Sequence, residues 1–246
     1  MDAFAEYYDS LVGADYNKIS EFLIASIKKY KPDSTLICDL GCGTAKVTTA
    51  LAKMGYDMIG IDSSEDMLIS ARDNISKSGI TDVLLLNQDI TDFELYGTVD
   101  VIYSTLDTIN YITDKRSLVR LFKLVKNYLN YDGLFIFDIN TDYKFNNILA
   151  NQNYTYDEED LFFNWYVDFE KNTGNCYHYL TYFKQNNEGM YERFDSVQHQ
   201  RFYDKNYIES LCAKFNFEII RCVDDYSCKQ INDCTERITY VLKINK

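Results

Sequence analysis

Five short apolar runs separated by helical windows constrain this 246-residue chain more than any other feature. The runs are TLICDL (35–40), DMIGID (57–62), VLLLN (83–87), VDVIYS (99–104) and LFIFDI (134–139). A strand with one solvated face alternates apolar and polar residues, whereas a nearly unbroken apolar run needs cover on both faces. Between the runs, Val47, Leu51 and Met54, then Met67, Ala71 and Ile75, recur at helical spacing. Leu118, Leu121, Phe122, Val125 and Leu129 form a longer stripe, and Ile19, Phe22, Leu23, Ile27 and Tyr30 predict a helix before the first strand. Strands alternating with helices give an α/β fold, a mostly parallel sheet with helices on both faces. Ser63, with Asp66 three residues on, and Asp114 are expected to cap helices, because their oxygens can accept first-turn N–H groups.

After the fifth run the rhythm changes. Residues 161–201 alternate aromatic and polar side chains, and the turn-like KNTGN and NNEG divide them into three antiparallel strands. The span 141–201 is therefore expected to form an antiparallel β insertion over the active site. Its Phe162, Phe163, Trp165, Tyr166, Tyr177 and Tyr179 are expected to wall a pocket, while His178 and His199 read either as bases or, the favoured reading, as polar residues of a sheet face. A helix around 207–214 and two strands, FEIIRCVDDY and ERITYVLKIN, follow; the strands can pair as a hairpin and bring the main sheet to seven. With a single proline and no linker, residues 1–246 are expected to be one domain, 1–33 forming an N-terminal lid and helix region.

Composition narrows the partners. A net charge of −13 opposes binding to duplex nucleic acid or an anionic membrane, both of which need a concentrated basic face. The N-terminus lacks a basic segment before an apolar stretch and no run is long enough to span a bilayer, so a cytoplasmic location and a small-molecule partner are expected. Seven scattered cysteines without a C-x-x-C pair read as reduced thiols, and no metal is assigned. Oligomeric state has no signature in the sequence.

The ligand signal lies where the first strand meets the first helix. In Asp39-Leu40-Gly41-Cys42-Gly43-Thr44 the glycines allow a tight turn and close approach of backbone to a ligand. Such a turn can also be purely structural. Asp62, nineteen residues past Gly43 at the end of the second strand, adds an acceptor suited to ribose hydroxyls. The third glycine of dinucleotide-binding turns is missing, Lys46 standing two residues beyond Thr44, which disfavours a nicotinamide cofactor. Asp89, after the third strand, is placed to accept from an adenine amino group.

DLGCGTA, GIDSSEDML, NQDI and VDVIYSTLDTINYI, in this order, resemble the successive motifs of class I S-adenosylmethionine-dependent methyltransferases. The resemblance covers residues 35–140 and, more loosely, the last two strands. It implies a Rossmann-like seven-stranded sheet of order 3-2-1-4-5-7-6, S-adenosylmethionine as cofactor and S-adenosylhomocysteine as product. By the same likeness Gly41, Cys42 and Gly43 meet the methionine part, Asp62 the ribose, Ser63 or Met67 the adenosine, and Asp89 with Ile90 the adenine. Ser104 and Leu106 complete the cofactor set, and Tyr8 and Tyr16 form a lid. The methyl acceptor belongs beyond the fourth strand, where Asp107, Asn110 and Tyr111 are expected to orient it, Asp107 taking a proton if its geometry permits. Asp138 to Asn140, closing the fifth strand, also face this region. The N-P-P-Y type of motif that marks amino groups of nucleic-acid bases is absent, S-T-L-D standing there instead. Antiparallel additions similar to 141–201 occur in amino-sugar N-methyltransferases. The expected function is methyl transfer to N or O of a small molecule. A non-catalytic S-adenosylmethionine-binding protein, which would lack an open acceptor cavity beside the cofactor, and a nicotinamide-dependent oxidoreductase are the alternatives.

Overall fold

A computed structural model describes residues 7–9, 11, 13–158, 161–186 and 188–245. Helix α1 (Tyr16–Tyr30) precedes β1 (Leu36–Leu40), α2 (Lys46–Lys53), β2 (Asp57–Asp62), α3 (Glu65–Lys77), β3 (Val83–Asn87), β4 (Val99–Ser104), α4 (Lys115–Tyr128) and β5 (Leu129–Asn140). A second group, β6 (Asn153–Glu158), β7 (Leu161–Glu170), β8 (Asn175–Gln185) and β9 (Tyr191–Arg201), follows; α5 (Lys205–Lys214), β10 (Phe217–Asp224) and β11 (Arg237–Ile244) then complete the described chain.

The main sheet runs β10-β11-β5-β4-β1-β2-β3. β1 to β5 pair in parallel, while β11 is antiparallel to both β5 and β10. With the inserted strands set aside, this is the expected order 3-2-1-4-5-7-6, and the fold is the Rossmann-like one. The unbroken apolar runs of β1, β2, β4 and β5 are explained by a core on each face, whereas β3, at the sheet edge, has no buried residue and leaves Leu84 half-exposed, so that run lacks the expected cover. Cys38, Leu40, Ile102, Phe135 and Phe137 point to the side covered by α4 and α5. Ile37, Val101, Tyr103, Leu134 and Ile136 point to the side covered by α1 and α2. Alternate residues of one strand thus serve opposite cores, as the pleat requires.

Several local expectations are corrected. Ser64, not Ser63, caps α3, its hydroxyl accepting from Met67 N; Asp114 caps α4 as expected. Met54 is half-exposed at the end of α2, so the core stripe there stops at Leu51. The three antiparallel strands expected over 161–201 are present, and a fourth that was not expected precedes them, NYTYDE pairing with β7 through Tyr154↔Trp165 and its neighbours to give the order β6-β7-β8-β9. Between β5 and β6 lies a short π-helix (Lys144–Leu149), a wide turn that is rare and concentrates at functional sites. The aromatic residues of the insertion divide by the same pleat. Phe163 and Trp165 face inward with Leu161, Leu180 and Tyr182, against Tyr7 and Leu11 of the N-terminal segment. Tyr166 and Tyr179 are substantially exposed and stack on each other on the outer face, with Phe162 and Tyr177 on that face by alternation. These four lie away from the inner face that Phe163 and Trp165 share. The seven cysteines are free, and no described helix is long and apolar enough to cross a membrane.

Candidate functional site

The cleft is made where β1, β2 and β4 end. Gly41 takes φ +78° and Gly43 φ +52°, a region where side chains are strained. Gly41 N and Cys42 N donate to Ile61 O at 2.8 and 2.9 Å, which ties the turn to the end of β2. A Cβ on Gly41 would lie 2.4 Å from Thr108 Cγ2, whereas one on Gly43 would meet no atom within 4 Å. Gly43 therefore borders open space, and that space is a cavity of about 550 Å³. Asp62 is fixed on its wall by two backbone amides, Oδ2 accepting from Gly43 N and Oδ1 from Ser64 N, both at 2.9 Å. Each carboxylate oxygen keeps a lone pair for a ligand hydroxyl. Burial pushes the Asp62 carboxyl above its usual range, the three neighbouring amides opposing it.

The structure gathers most of the expected cofactor residues around this cavity. Gly41, Gly43, Asp62, Ser63, Met67, Asp89, Ile90, Leu106 and Tyr8 all line it. Asp89 spends one oxygen on Thr91 N at 2.7 Å and keeps the other. Three expected residues lie elsewhere. Ser104 is fully buried and its hydroxyl donates to Leu40 O at 2.8 Å, so it ties β4 to β1. Cys42 and Tyr16 border a smaller adjoining recess with Asp39, Thr44 and Lys46.

That recess carries polar groups that motif reading singled out for no role. Asp9 Oδ1 accepts from Tyr16 Oη at 2.8 Å and Thr44 Oγ1 at 2.7 Å, with Lys46 Nζ at 3.4 Å from its other oxygen, and so ties the N-terminal segment to the glycine turn. Asp39 is almost wholly buried; its Oδ2 accepts from Thr48 Oγ1 at 2.5 Å and Tyr103 Oη at 2.8 Å, while Oδ1 has no partner. Burial pushes its carboxyl up to about 7. The orphaned buried oxygen of Asp39 suits the ammonium of an amino acid, and the phenol, hydroxyl and ammonium that here hold the Asp9 carboxylate would take an amino-acid carboxylate in its place once Asp9 is displaced. The residues present thus fit the methionine end of the cofactor as well as its ribose.

A second cavity of about 170 Å³ opens between the loop after β4 and the inner face of the inserted sheet, sharing Tyr8, Leu106, Tyr111 and Gln198 with the first. Its far end is bordered by Lys144 and Leu149 of the π-helix, Trp165, His178 and Arg237. Of the expected acceptor residues, Tyr111 borders both cavities and donates its hydroxyl to Gln198 Oε1 at 2.9 Å. Asn110 borders neither. It is fully buried and braces the loop, donating to Arg201 O at 2.8 Å and accepting from Asn140 N at 2.9 Å. Asp107 borders the second cavity, but its carboxylate is taken: Arg237 Nη2 donates at 2.7 Å and Gln200 Nε2 at 2.6 Å. Against the cost of burial, Lys144, Arg237 and these hydrogen bonds hold its carboxyl below the usual range, which makes it a weak base. Arg237 also stands 2.9 Å from Asp138 Oδ2, and Tyr226 donates to the other oxygen of Asp138.

His178 is buried, and its Nδ1 accepts from Trp165 Nε1 at 3.0 Å. Burial lowers its pKa to about 4, so at neutral pH the ring is uncharged and its proton resides on Nε2. Reading His178 as a sheet-face residue missed that inner-face placement; the only signal was its alternation with Cys176 and Leu180. His199, on the opposite face, stacks on Tyr177.

Comparison with known proteins agrees with this geometry. A family model described as a methyltransferase domain matches residues 31–216. A solved S-adenosylmethionine-dependent methyltransferase from Clostridium acetobutylicum ATCC 824 is 34% identical, with a TM-score of 0.89 over 99% of this chain and 98% of that one. YqeM of Bacillus subtilis (strain 168), named as a methyltransferase without an acceptor, is 28% identical over 99% of this chain and 96% of its own length. The amino pentose methyltransferase CalS10 from Micromonospora echinaspora, solved with S-adenosylmethionine bound, shares the fold at 15% identity, with a TM-score of 0.77 over 100% and 98% of the two chains. These matches set aside the nicotinamide alternative. The chain belongs to the class I S-adenosylmethionine-dependent methyltransferases.

Proposed function

We propose that the protein methylates a nitrogen or oxygen of a small molecule held between the loop after β4 and the inserted sheet. The observation that carries this reading is the continuity of the two cavities, which meet at Tyr8, Leu106, Tyr111 and Gln198. A protein that only sensed the cofactor would need no second chamber opening on the first. When bound, S-adenosylmethionine supplies an electrophilic methyl group on sulfur. In-line transfer depends on alignment and on exclusion of water, and the chain provides both. Tyr8 and Leu106 close over the junction, Tyr111 orients the acceptor, and the inserted sheet covers the chamber. Asp107 and Asn110 act through others, holding the loop in place. Asp107 is engaged by Arg237 and His178 has its Nδ1 occupied, so neither takes a proton: an amine would enter uncharged and leave as the methylated ammonium, which takes over the positive charge of the sulfonium, whereas a hydroxyl would have to give its proton to water.

The test is an assay of S-adenosylhomocysteine formation against pooled small molecules, bulk RNA and unfolded protein. Turnover in the small-molecule pools is expected; methyl label found only in RNA or protein would overturn the reading. Asp62→Ala is expected to weaken S-adenosylhomocysteine binding by about 1–3 kcal/mol, the usual loss for a charged hydrogen bond. Calorimetric titration checks this, and unchanged affinity would remove Asp62 from the site.

Asp39 predicts a pH dependence. Its folded-state carboxyl titrates near 7, so below that pH it carries a proton that must leave before it can pair with the amino-acid ammonium. Binding of S-adenosylhomocysteine should therefore tighten by about tenfold from about pH 6 to about pH 8 and release a proton. Calorimetry in buffers of different ionisation enthalpy reads that proton directly. Heats independent of buffer would show that Asp39 does not meet the ligand.

A further inference from the structure

The second cavity has an end whose polar groups the methyl transfer does not use. Lys144 reaches it from the π-helix. Its ammonium donates to Asn140 Oδ1 at 3.0 Å and takes part in none of the ion pairs among the described residues. The neighbouring acids make their hydrogen bonds elsewhere, Asp107 with Arg237 and Gln200 and Asp138 with Arg237 and Tyr226, and act on Lys144 only through space. An ammonium has three donors, and holding one with a single neutral partner in a chamber walled by Leu149, Phe163 and Trp165 is costly unless an anion joins it. A second donor borders the same chamber: His178 Nε2 is buried and makes no well-formed hydrogen bond, its polar neighbour being the side chain of Gln200.

Resting on the reading of this chamber as the acceptor site, we propose that the acceptor carries a carboxylate, which pairs with Lys144 and accepts from His178 Nε2. With Asp107 already offsetting part of the Lys144 charge through space, a monoanion suits this end better than a phosphate, which brings nearly two charges. The aromatic side chains Phe163, Trp165, Tyr8 and Tyr111 suit a flat or ring-shaped body attached to that carboxylate. Of the two joined cavities Lys144 borders the second alone, while it also reaches a separate polar recess beside Asp225 and Glu236; Tyr8 and Tyr111 border both joined cavities, so a molecule anchored at Lys144 directs its opposite end to the junction where the methyl group is delivered. Lys144 thereby sets specificity by fixing one end of the acceptor.

The test uses the protein loaded with S-adenosylhomocysteine and three probes: benzoate, benzamide and phenyl phosphate, with affinity read by ligand-observed NMR titration. Benzoate is expected to bind at least about tenfold more tightly than either of the others, a difference of about 1.4 kcal/mol. Lys144→Met should abolish that preference and Lys144→Arg should keep most of it, with binding of S-adenosylhomocysteine reporting that each variant is folded. Equal binding of benzoate and benzamide, preference for phenyl phosphate, no binding of benzoate, or a preference that survives Lys144→Met would each overturn the proposal. Its failure is distinct from that of the proposed function: methylation of a neutral small molecule in preference to acids would end this inference alone, whereas label confined to RNA or protein would end both.

Discussion

Arg237→Met will lower the stability of the protein by about 3–5 kcal/mol at neutral pH, the loss typical of breaking a buried ion pair from one side. Arg237 opens β11, and its guanidinium meets Asp107 after β4 at 2.7 Å, Asp138 near the end of β5 at 2.9 Å and Asp225 after β10 at 3.6 Å. Only 16% and 0% of the Asp107 and Asp138 side chains are exposed, so removing the cation leaves two carboxylates with little water to replace it. Burial already raises the Asp138 carboxyl, and Arg237 is the largest influence opposing that rise. Without Arg237 both carboxyls move up in the folded state, so the variant binds more protons folded than unfolded and regains stability as pH falls. The deficit should accordingly shrink between about pH 7.5 and about pH 5. Adding Asp107→Asn and Asp138→Asn to the variant should recover part of it at neutral pH. Urea denaturation at the two pH values measures this. A deficit below about 1 kcal/mol, or one independent of pH, would show that the cluster is solvated and not a structural tie.

The second large effect is expected at the cofactor turn. Gly41→Ala combines a left-handed backbone, costing about 1–2 kcal/mol for a residue with a Cβ, with a clash. The new methyl would stand 2.4 Å from Thr108 Cγ2, and relieving such overpacking typically costs a further 1–3 kcal/mol or so. Because Gly41 and Thr108 both border the first cavity, affinity for S-adenosylhomocysteine should fall together with stability. Adding Thr108→Ala should restore the part due to the clash and leave the backbone part. Full recovery in the double variant would assign the whole effect to Thr108; no recovery would assign it to the backbone alone. Gly43→Ala, with open space before it, should lose cofactor affinity with a smaller loss of stability.

The candidate cofactor site was legible because its parts are local. A glycine turn at the end of β1 and an acid at the end of β2 are each a few residues from the signal that marks the strand, and adjacent parallel strands bring the two ends together automatically. The acceptor end was not legible in that way. Asp107 looked like a base because an acid after the fourth strand faces the right direction, yet its partner Arg237 lies 130 residues away. Lys144 gave no signal: a lone lysine after a strand is ordinary, and only the π-helix turns it toward the chamber.

The inserted sheet draws the same boundary. Its alternation of aromatic and polar residues was enough to predict antiparallel strands, but alternation is symmetric, and nothing in it says which of two faces is inside. Packing against Tyr7 and Leu11 decided that Phe163 and Trp165 line the chamber while Tyr166 and Tyr179 face outward. Alone, the sequence determined the parallel core, the strand order through family likeness, and the cofactor turn, because periodicity and turn chemistry act over a few residues. The tertiary structure alone decided the charge cluster around Arg237 and the chamber beneath Lys144, because buried charges are matched through space between elements that chain order keeps far apart.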